Sequence, residues 1–409
     1  MQVNQVIPQM IPSWRASVIV AALSLWLGGC GPSGIPGFGR SSPAPDAGAP
    51  TLPVETSELS SPTEVGAGGV KVALIVPLTT SSGASQVGQS LRNAAELAVE
   101  EFGGKDVSII VKDDQSSPAG ARAAAQAAIG EGAEIILGPL FAGNVREVSA
   151  VARGAGKPVI AFSTDTNAAG RGTYLLSFLA ETYIERVLDY AASRGKRSMA
   201  ALVPNNEYGR LAEAQFMAVA ARKKIQVMTV ENYSATTLAA AAQKIAALND
   251  RIDSLFIPEQ ADAMANVAAA LATAGVDTRR VQLLGTGIWN DARVLQVAGL
   301  QGAWFAAPDN AGFASFVTRY QRKYGSEPSR VATLAYDAAA LVIVLARQQS
   351  NQRFSEAMLQ NQTGFSGIDG VFRFRENGAT ERGLAVLQIS NGATNVLSPA
   401  PRSFSTSGM

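Results

Sequence analysis

The sequence predicts an α/β protein built from two doubly wound, Rossmann-like lobes. The first observation is length, because 409 residues exceed one ordinary domain and suit two. The second is an alternation of short apolar runs, rich in β-branched residues, with longer alanine-rich segments of helical periodicity. The third is a strand–helix–strand unit within residues 107–137, which is typical of a parallel sheet.

The strand–helix–strand unit shows how the local sequence selects each element. Residues 107–111 (Val-Ser-Ile-Ile-Val) predict a buried strand. Ser117 is a good N-cap and Pro118 suits the first helical position, so a helix is predicted over 119–129. Residues 133–137 predict the second strand, which a Gly-Pro pair ends. Because ligands of open α/β sheets bind beside the carboxyl ends of the strands, the loops that follow these strands are candidate ligand-binding loops.

Composition excludes several classes of function. The chain has no histidine, which rules out a Ser-His-Asp triad, a histidine general base and histidine-ligated metal sites. The single cysteine cannot form an internal disulfide or a multi-thiolate zinc site. A net charge of +1 gives no reason to expect a nucleic-acid partner. No nucleophile–base arrangement is visible in the sequence either, so we predict that the protein is not an enzyme and has no catalytic residue, no cofactor and no metal site.

The first 29 residues have the plan of an export signal. Arg15 supplies the positive flank, and residues 16–27 form an apolar core that is too short to span a bilayer. The Leu-Gly-Gly-Cys sequence that ends at Cys30 resembles a bacterial lipobox, which implies cleavage before Cys30 and lipid attachment to its thiol. The alternative is an ordinary signal peptide with a chance cysteine. Gly31, where an aspartate is associated with retention at the inner membrane, favours the outer membrane.

The segment 30–69 is predicted to be a disordered tether. It is rich in Gly, Pro, Ser, Thr and Ala and lacks apolar periodicity. The folded body is expected to begin at Val70 with the first lobe. The further elements predicted there are strands 70–76 and 158–161, helices 87–102 and 144–154, and the polar loop 162–167.

A second series of elements predicts the second lobe. Its helices are predicted at 181–194, 210–223, 237–248 and 261–274, and its strands at 198–203, 225–230, 254–257, 282–284 and 302–306. Two further helices are predicted at 311–324 and 329–348, the second apolar on nearly all sides. An Asn-Gly turn signal at 376–378 predicts a β-hairpin that pairs 370–375 with 383–389.

Five short motifs follow one another in unbroken order between residues 113 and 374: Asp-Asp-Gln-Ser-Ser-Pro, Ile-Leu-Gly-Pro, Lys-Pro-Val-Ile, Asn-Asn-Glu-Tyr-Gly and Gly-Ile-Asp-Gly-Val-Phe-Arg-Phe. Together they resemble type I periplasmic binding proteins of the leucine/isoleucine/valine-binding branch. The resemblance implies two lobes joined by a three-crossing hinge that closes on a ligand. The stretch Leu-Leu-Gly-Thr-Gly-Ile-Trp-Asn-Asp resembles a subset of lipoproteins that activate peptidoglycan-synthesising penicillin-binding proteins.

The resemblance also implies a division of the chain. The first lobe is expected to comprise 70–180 plus 308–349, and the second lobe 181–307 plus 350–397. Residues 398–409, rich in proline and serine, are expected to form a loose tail.

The resemblance places ligand contacts in two loops of the first lobe. Amino-acid binders of the family carry a hydroxyl residue after Gly-Pro, but the matching positions here are Phe141 and Ala142. In the second loop Ser163 and Thr164 can donate hydrogen bonds, whereas Asp165 stands where the family has threonine. Two unit charges about 4 Å apart cost of order 4 kcal/mol at an effective dielectric of 20, so Asp165 is expected to repel a ligand carboxylate. The same Ser-Thr-Asp segment is also compatible with a plain turn held by side-chain bonds.

Three further candidates lie in the second lobe. Tyr208 matches the family's Tyr-Gly and is expected either to stack on the ligand or to serve the structure alone. Glu259, in a strand's exit loop, is a candidate partner for a ligand ammonium group. Trp289, beside two glycines, is expected to be a binding aromatic in a flexible loop at the cleft.

The scaffold fits the family, but the clamp for an α-amino acid does not. The first hypothesis is therefore a lipid-anchored periplasmic binding protein that captures a small amino-acid-like or muropeptide-like solute, with an ABC permease as partner. The alternative is a regulatory lipoprotein that docks on a penicillin-binding protein, in which the cleft no longer captures solutes.

Overall fold

Two sheets of mainly parallel strands, each flanked by helices, form the two lobes of the protein, as predicted. The computed structural model describes residues 64–348 and 352–404. The predicted signal peptide, Cys30 and most of the predicted tether lie outside these residues. None of the helices in the described part of the chain is long and apolar enough to cross a membrane.

The strands are, in chain order, β1 (Glu64–Gly66), β2 (Val70–Val76), β3 (Thr79–Thr80), β4 (Gly83–Ala84), β5 (Val107–Asp113), β6 (Ile135–Leu137), β7 (Val159–Ala161), β8 (Thr173–Leu175), β9 (Ser198–Pro204), β10 (Gln226–Tyr233), β11 (Ser254–Phe256), β12 (Gln282–Gly285), β13 (Trp304–Ala307), β14 (Phe365–Gly367), β15 (Gly370–Phe374), β16 (Thr380–Arg382), β17 (Ala385–Ser390) and β18 (Ala393–Ser398). The α-helices are α1 (Gln86–Phe102), α2 (Pro118–Gly130), α3 (Ala142–Gly154), α4 (Ala180–Ser193), α5 (Glu207–Lys223), α6 (Leu238–Ala246), α7 (Ala261–Ala274), α8 (Ala292–Leu295), α9 (Asn310–Tyr324), α10 (Ala332–Ala346) and α11 (Glu356–Leu359). Short 3₁₀ helices occupy Thr166–Ala168, Gly287–Trp289 and Ala298–Leu300.

The sheet of the first lobe has the strand order β1-β5-β2-β6-β7-β8. All its pairings are parallel except that of β1 with β5. Helices α1 and α10 pack on one face, and α2 and α3 pack on the other. Helix α10 is buried along nearly its whole length, which explains why its sequence is apolar on almost every side.

The sheet of the second lobe has the order β10-β9-β11-β12-β13-β17-β18. Strands β9 to β13 run parallel, whereas β17 and β18 pair antiparallel. Helices α4 and α5 cover one face, and α6 and α7 cover the other. In both lobes the carboxyl ends of the parallel strands lie at one sheet edge, where a doubly wound sheet places its ligand.

The predicted caps position the helices that lead away from this edge. The Ser117 hydroxyl accepts a hydrogen bond from the Gly120 N–H at 3.1 Å, and Pro118 is the first residue of α2. In the second lobe the Asn206 side chain accepts from the Gly209 N–H at 2.7 Å at the start of α5. These bonds satisfy N–H groups that no helical carbonyl can reach.

The predicted hairpin is correct at its turn and wrong in its second strand. Gly378 adopts φ +83°, as the Asn-Gly signal requires. Strand β15 pairs with the short β16 (Thr380–Arg382) rather than with 383–389. The residues that follow form β17, because Leu387 and Ile389 bury their side chains in the core of the second lobe.

This pairing also changes the division of the chain. Residues 350–397 were all expected in the second lobe, but Phe354, Leu359, Phe372 and Phe374 are buried in the core of the first lobe. The described part of this segment therefore packs with the first lobe as far as Arg382 and joins the second only at β17.

Two boundaries of the folded body also differ from the prediction. The expected tether ended at residue 69, but β1 pairs antiparallel with β5, and Val65 packs on the first core. The expected loose tail began at 398, but Phe404 lies beneath the Arg373 guanidinium at 4.5 Å. Both segments carry an apolar side chain that gains from burial, which overrides their polar composition.

Three segments cross between the lobes within the described residues. They link β8 to α4, β13 to α9 and β16 to β17. The three-crossing hinge implied by the family resemblance is therefore present. The crossings contribute side chains to the cleft described next.

Candidate functional site

A cleft lies between the loops at the carboxyl ends of the two sheets. It contains two adjoining cavities of about 630 and 800 Å³, which share Thr164, Tyr208 and Leu211 as lining residues. The loop after β7 supplies the first-lobe wall, and the loops after β9 and β12 supply the second-lobe wall. Cavities of this size hold small organic ligands in other proteins.

The smaller cavity is mainly apolar. Its apolar walls come from Phe178, Ala180, Tyr183, Leu211, Ile288 and Pro308. Polar groups are few, and they come from Thr164, Tyr208, Asn290, Asp291 and Arg330. We refer to it as the apolar cavity. Such a lining gains free energy from burying a hydrocarbon body and uses the few polar groups to orient it.

The larger cavity is polar, and we refer to it as the polar cavity. It is lined by Thr164, Asp165, Thr166, Asn167, Asn206, Glu207, Tyr208, Arg210, Leu211 and Gln260. It therefore brings the loop after β7 opposite the start of helix α5.

Tyr208 forms part of the wall of both cavities. Its hydroxyl lies 2.8 Å from the Thr286 hydroxyl, and burial raises its pKa to about 12. The phenol is therefore neutral at physiological pH and offers a ring face together with a hydroxyl. The structure places this residue where the sequence analysis expected a ligand-binding tyrosine.

The Ser163–Thr164–Asp165 loop is both a turn held by side-chain hydrogen bonds and part of the cavity walls. The buried Ser163 hydroxyl accepts from the Asp165 N–H at 3.1 Å, which holds the turn. Thr164 is exposed and lines both cavities. The Asp165 carboxylate lies 2.6 Å from the Arg146 guanidinium and caps the Asn167 N–H at 3.0 Å. Because Arg146 compensates this charge, the repulsion of a ligand carboxylate is weaker than the sequence alone suggested.

Phe141 and Ala142 lie outside both cavities. Phe141 precedes helix α3 and is 46% exposed, and Ala142 is the first residue of that helix. The side chains of this first-lobe loop after Gly-Pro therefore line neither cavity. This is in keeping with the lack of a hydroxyl at these positions.

Trp289 and Glu259 serve the interior of the second lobe instead of the cleft. Trp289 is fully buried in the core, and a Cβ added at Gly285 would lie 2.2 Å from the indole ring. The glycine thus allows close packing instead of flexibility. Glu259 is 5% exposed and accepts hydrogen bonds from the Tyr233 hydroxyl and, at 2.7 Å, from the Gln260 N–H. Both expectations were therefore wrong in placing these side chains on the ligand.

Arg330 is one of several cleft residues that no sequence motif indicates. Its guanidinium lies 4.5 Å from the centre of the Phe178 ring and 4.4 Å from that of Phe313. It forms a two-pronged ion pair with the fully buried Asp369, at 2.6 and 3.1 Å. The arginine therefore links the segment just before helix α10 to the β14–β15 turn. Its side chain also lines the apolar cavity. The two partners are 39 positions apart in the sequence, so no local sequence pattern predicts that they form an ion pair.

A second buried charge lies near this pair. Asp337 on α10 accepts the Ile368 N–H at 2.8 Å. Burial raises its pKa to about 7, a shift that the nearby Arg382 and Arg330 oppose and Asp369 reinforces. The group therefore holds a proton in the folded protein well above the pH at which a free aspartate loses it.

This shift predicts a pH dependence of stability. The folded pKa is raised, so the stabilising contribution is complete below about pH 4 and is lost as the pH rises through about 7. Since each pKa unit corresponds to about 1.4 kcal/mol, the loss amounts to a few kcal/mol. Chemical unfolding at about pH 4 and at about pH 8 is expected to show a smaller loss in Asp337→Asn than in the wild type. An equal loss in the two proteins would assign the dependence to other groups.

The side chains of the cleft suit noncovalent binding. Among the residues that the structure describes, no group of three His, Cys, Asp or Glu side chains is placed to hold a metal ion. The cleft combines aromatic faces, neutral hydrogen-bonding groups and compensated charges. This set suits reversible capture of a small molecule.

Comparison with known proteins agrees with this architecture. A family model described as "Periplasmic binding protein" matches residues 69–394. No curated protein matches the sequence. Among solved structures, a branched-chain amino acid ABC transporter periplasmic ligand-binding protein from Burkholderia xenovorans has a TM-score of 0.64 and 16% identity, covering 81% of this chain and 96% of the other.

Two other solved structures show the same fold. A leucine-binding protein from Thermotoga maritima has a TM-score of 0.55 and 20% identity, covering 81% of this chain and 98% of the other. An ABC transporter solute-binding protein from Rhodopseudomonas palustris was solved in complex with 3,4-dihydroxybenzoic acid. It has a TM-score of 0.55 and 21% identity, covering 81% of this chain and 96% of the other. At sequence identities this low, the similarity to these structures shows a shared fold alone.

Proposed function

Because the chain belongs to the periplasmic binding protein family, we propose that it captures a small solute between its lobes and presents it to an ABC permease. The observation that carries the proposal is the apolar cavity, with its neutral hydrogen-bonding groups Thr164 and Tyr208 at the lobe boundary. The function is binding followed by hinge closure, without catalysis.

The lining favours a solute with an apolar body and few polar groups. Asp291 is the only carboxylate among the residues that line the apolar cavity, and it lies 2.7 Å from the Arg293 guanidinium. An ammonium group would have to compete with that arginine. A small organic carboxylate or an amino-acid-like molecule with a large apolar side chain therefore fits better than a short polar amino acid. Solved members of the fold carry leucine in one case and 3,4-dihydroxybenzoic acid in another.

Truncation of Tyr208 tests the capture function. Tyr208→Ala removes a ring that borders both cavities, so affinity for a bound solute is expected to fall about tenfold or more, or ~1.4 kcal/mol. Thermal shift and calorimetry against leucine, benzoate and muropeptides are the measurements. Phe141→Ala, an aromatic truncation outside both cavities, is the control and is expected to leave the affinity unchanged. Equal losses in both variants would exclude the cleft as the capture site.

Lipid attachment at Cys30 is part of the proposal. The lipobox resemblance and the tether composition support a periplasmic body anchored to the cell envelope, with the outer membrane favoured by Gly31. Cys30→Ser is expected to move the protein from the membrane fraction to the soluble periplasmic fraction and to abolish incorporation of labelled palmitate. Retention in the membrane fraction with the serine present would point to another mode of attachment.

A second function is favoured by one specific observation. The positions that hold an amino acid in the resembling family do not line either cavity here, since Phe141 and Ala142 are absent from both linings and Glu259 is bonded to Tyr233. A regulatory lipoprotein that activates a penicillin-binding protein would not need them. Pull-down of a peptidoglycan synthase, together with no heat from the solute panel, would favour this second function over transport.

A further inference from the structure

A third cavity, of about 550 Å³, lies at the back of the hinge. Helix α4 separates it from the cleft: Ala180 and Tyr183 border the apolar cavity, whereas Arg186 and Asp189 border this one. At 100° per residue the side chains of these two pairs point in directions about 120° apart around the helix axis. The remaining walls come from strands β15 and β16 and from residues 399–404. We refer to it as the back cavity.

The back cavity carries an excess of positive charge. Its lining holds the four guanidinium groups of Arg186, Arg373, Arg375 and Arg382 and three carboxylates. Each carboxylate is already paired with a base. The pairs are Glu185 with Arg222 and Arg375, Asp189 with Lys223, and Glu381 with Arg373 and Arg375.

Arg186 and Arg382 are left without a carboxylate partner among residues 64–348 and 352–404. Arg186 donates to neutral oxygens only, to the Leu384 carbonyl at 2.8 Å and the Ser398 hydroxyl at 2.7 Å. Burial lowers the pKa of Arg186, and the nearby Asp189 opposes this shift without forming an ion pair.

Arg382 forms the inner wall and is only 5% exposed. Its Nε donates to the Ser177 carbonyl at 3.1 Å, but its Nη1 and Nη2 lack a hydrogen-bond partner in the described part of the chain. The guanidinium lies against the rings of Phe178 and Phe372, at 4.9 and 5.6 Å from their centres. The carboxyl of Asp337 is near enough to interact with this guanidinium but forms no ion pair with it, so the buried cation can still attract an anion into the neighbouring cavity.

We propose that the back cavity binds a small oxyanion, a carboxylate or phosphate group, held by Arg186 and attracted by the buried charge of Arg382. The planar guanidinium fork matches the two oxygens of such a group. The anion would contact α4 of the second lobe together with strands β15 and β16, which pack with the first. Its occupation would therefore connect the lobes on the side of the hinge away from the cleft.

Calorimetry on the full chain tests the site, with inorganic phosphate and succinate as separate probes against sodium chloride at matched ionic strength. We expect a dissociation constant below about 1 mM for at least one probe. Arg186→Gln is expected to weaken it about tenfold or more, because the direct donor is lost. Arg280→Gln, whose guanidinium pairs with Asp250 away from the cavity lining, is the matched control and is expected to bind as the wild type does.

A second variant protects the test from misfolding, since Arg186 also anchors the chain at Leu384. Ser403→Glu adds a carboxylate at the exposed rim of the cavity without removing a described contact, and it is expected to compete with the anion. Heats equal to those of sodium chloride, or equal affinities in the wild type and Ser403→Glu, would overturn the proposal. Tyr208→Ala is expected to retain anion binding, so failure of solute capture and failure of this site remain distinguishable.

Discussion

Trp289→Ala is expected to destabilise the protein by about 3–5 kcal/mol, the range found for truncating a large buried aromatic side chain. The indole is fully buried in the second-lobe core and lies against the backbone of Gly285, so no other group can fill its space without moving β12. Denaturant unfolding monitored by circular dichroism measures the change.

The matched control is Phe141→Ala, an aromatic truncation at a 46% exposed position, for which a change below about 1 kcal/mol is expected. The comparison also separates two roles for the tryptophan. If Trp289→Ala leaves the unfolding midpoint unchanged but abolishes solute binding, the Trp289 side chain lies in the cleft. That result would contradict its placement in the core.

Arg330→Met is expected to cost about 3–5 kcal/mol, because it leaves the fully buried carboxylate of Asp369 without its ion-pair partner. Among the residues that the structure describes, only the Thr333 hydroxyl would still donate to that carboxylate. The loss of the guanidinium between Phe178 and Phe313 adds to the effect. The measurement is again the free energy of unfolding.

Two further variants define the origin of this cost. Arg293→Met breaks an ion pair with Asp262 and Asp291 at the surface and is expected to change stability by less than about 1 kcal/mol. Arg330→Met combined with Asp369→Leu removes both charges, so much of the lost stability is expected to return. A double variant as unstable as Arg330→Met alone would show that packing rather than the unpaired carboxylate sets the cost.

The fold was predictable because its signals are local. Ser117 and Pro118 mark the start of α2, and the apolar runs at 107–111 and 133–137 lie at β5 and β6. The second strand of the predicted hairpin was not predictable in this way. Whether residues 383–389 pair with β15 or with β13 depends on the second-lobe core, which only the folded chain assembles.

The candidate site was predictable in position but only partly in composition. Parallel-sheet topology alone places Thr164 and Tyr208 at the cleft. Trp289 was misplaced, because Gly-x-Gly-x-Trp has the same sequence in a mobile loop as in a close backbone contact. Arg330 and Asp369 escaped notice because their pairing joins segments that are remote in the chain.

The position of β17 in the second sheet has a consequence for biogenesis. This strand lies between β13 and β18, yet both β17 and β18 lie at the carboxyl end of the chain. A growing polypeptide emerges amino end first, so β13 presents an unpaired edge until β17 and β18 have been synthesised. Unpaired edges recruit strands from other molecules. Chains that terminate before Ala385 would lack two of the seven strands of this sheet and would keep β13 as an exposed edge, which makes them natural clients for chaperones and proteases.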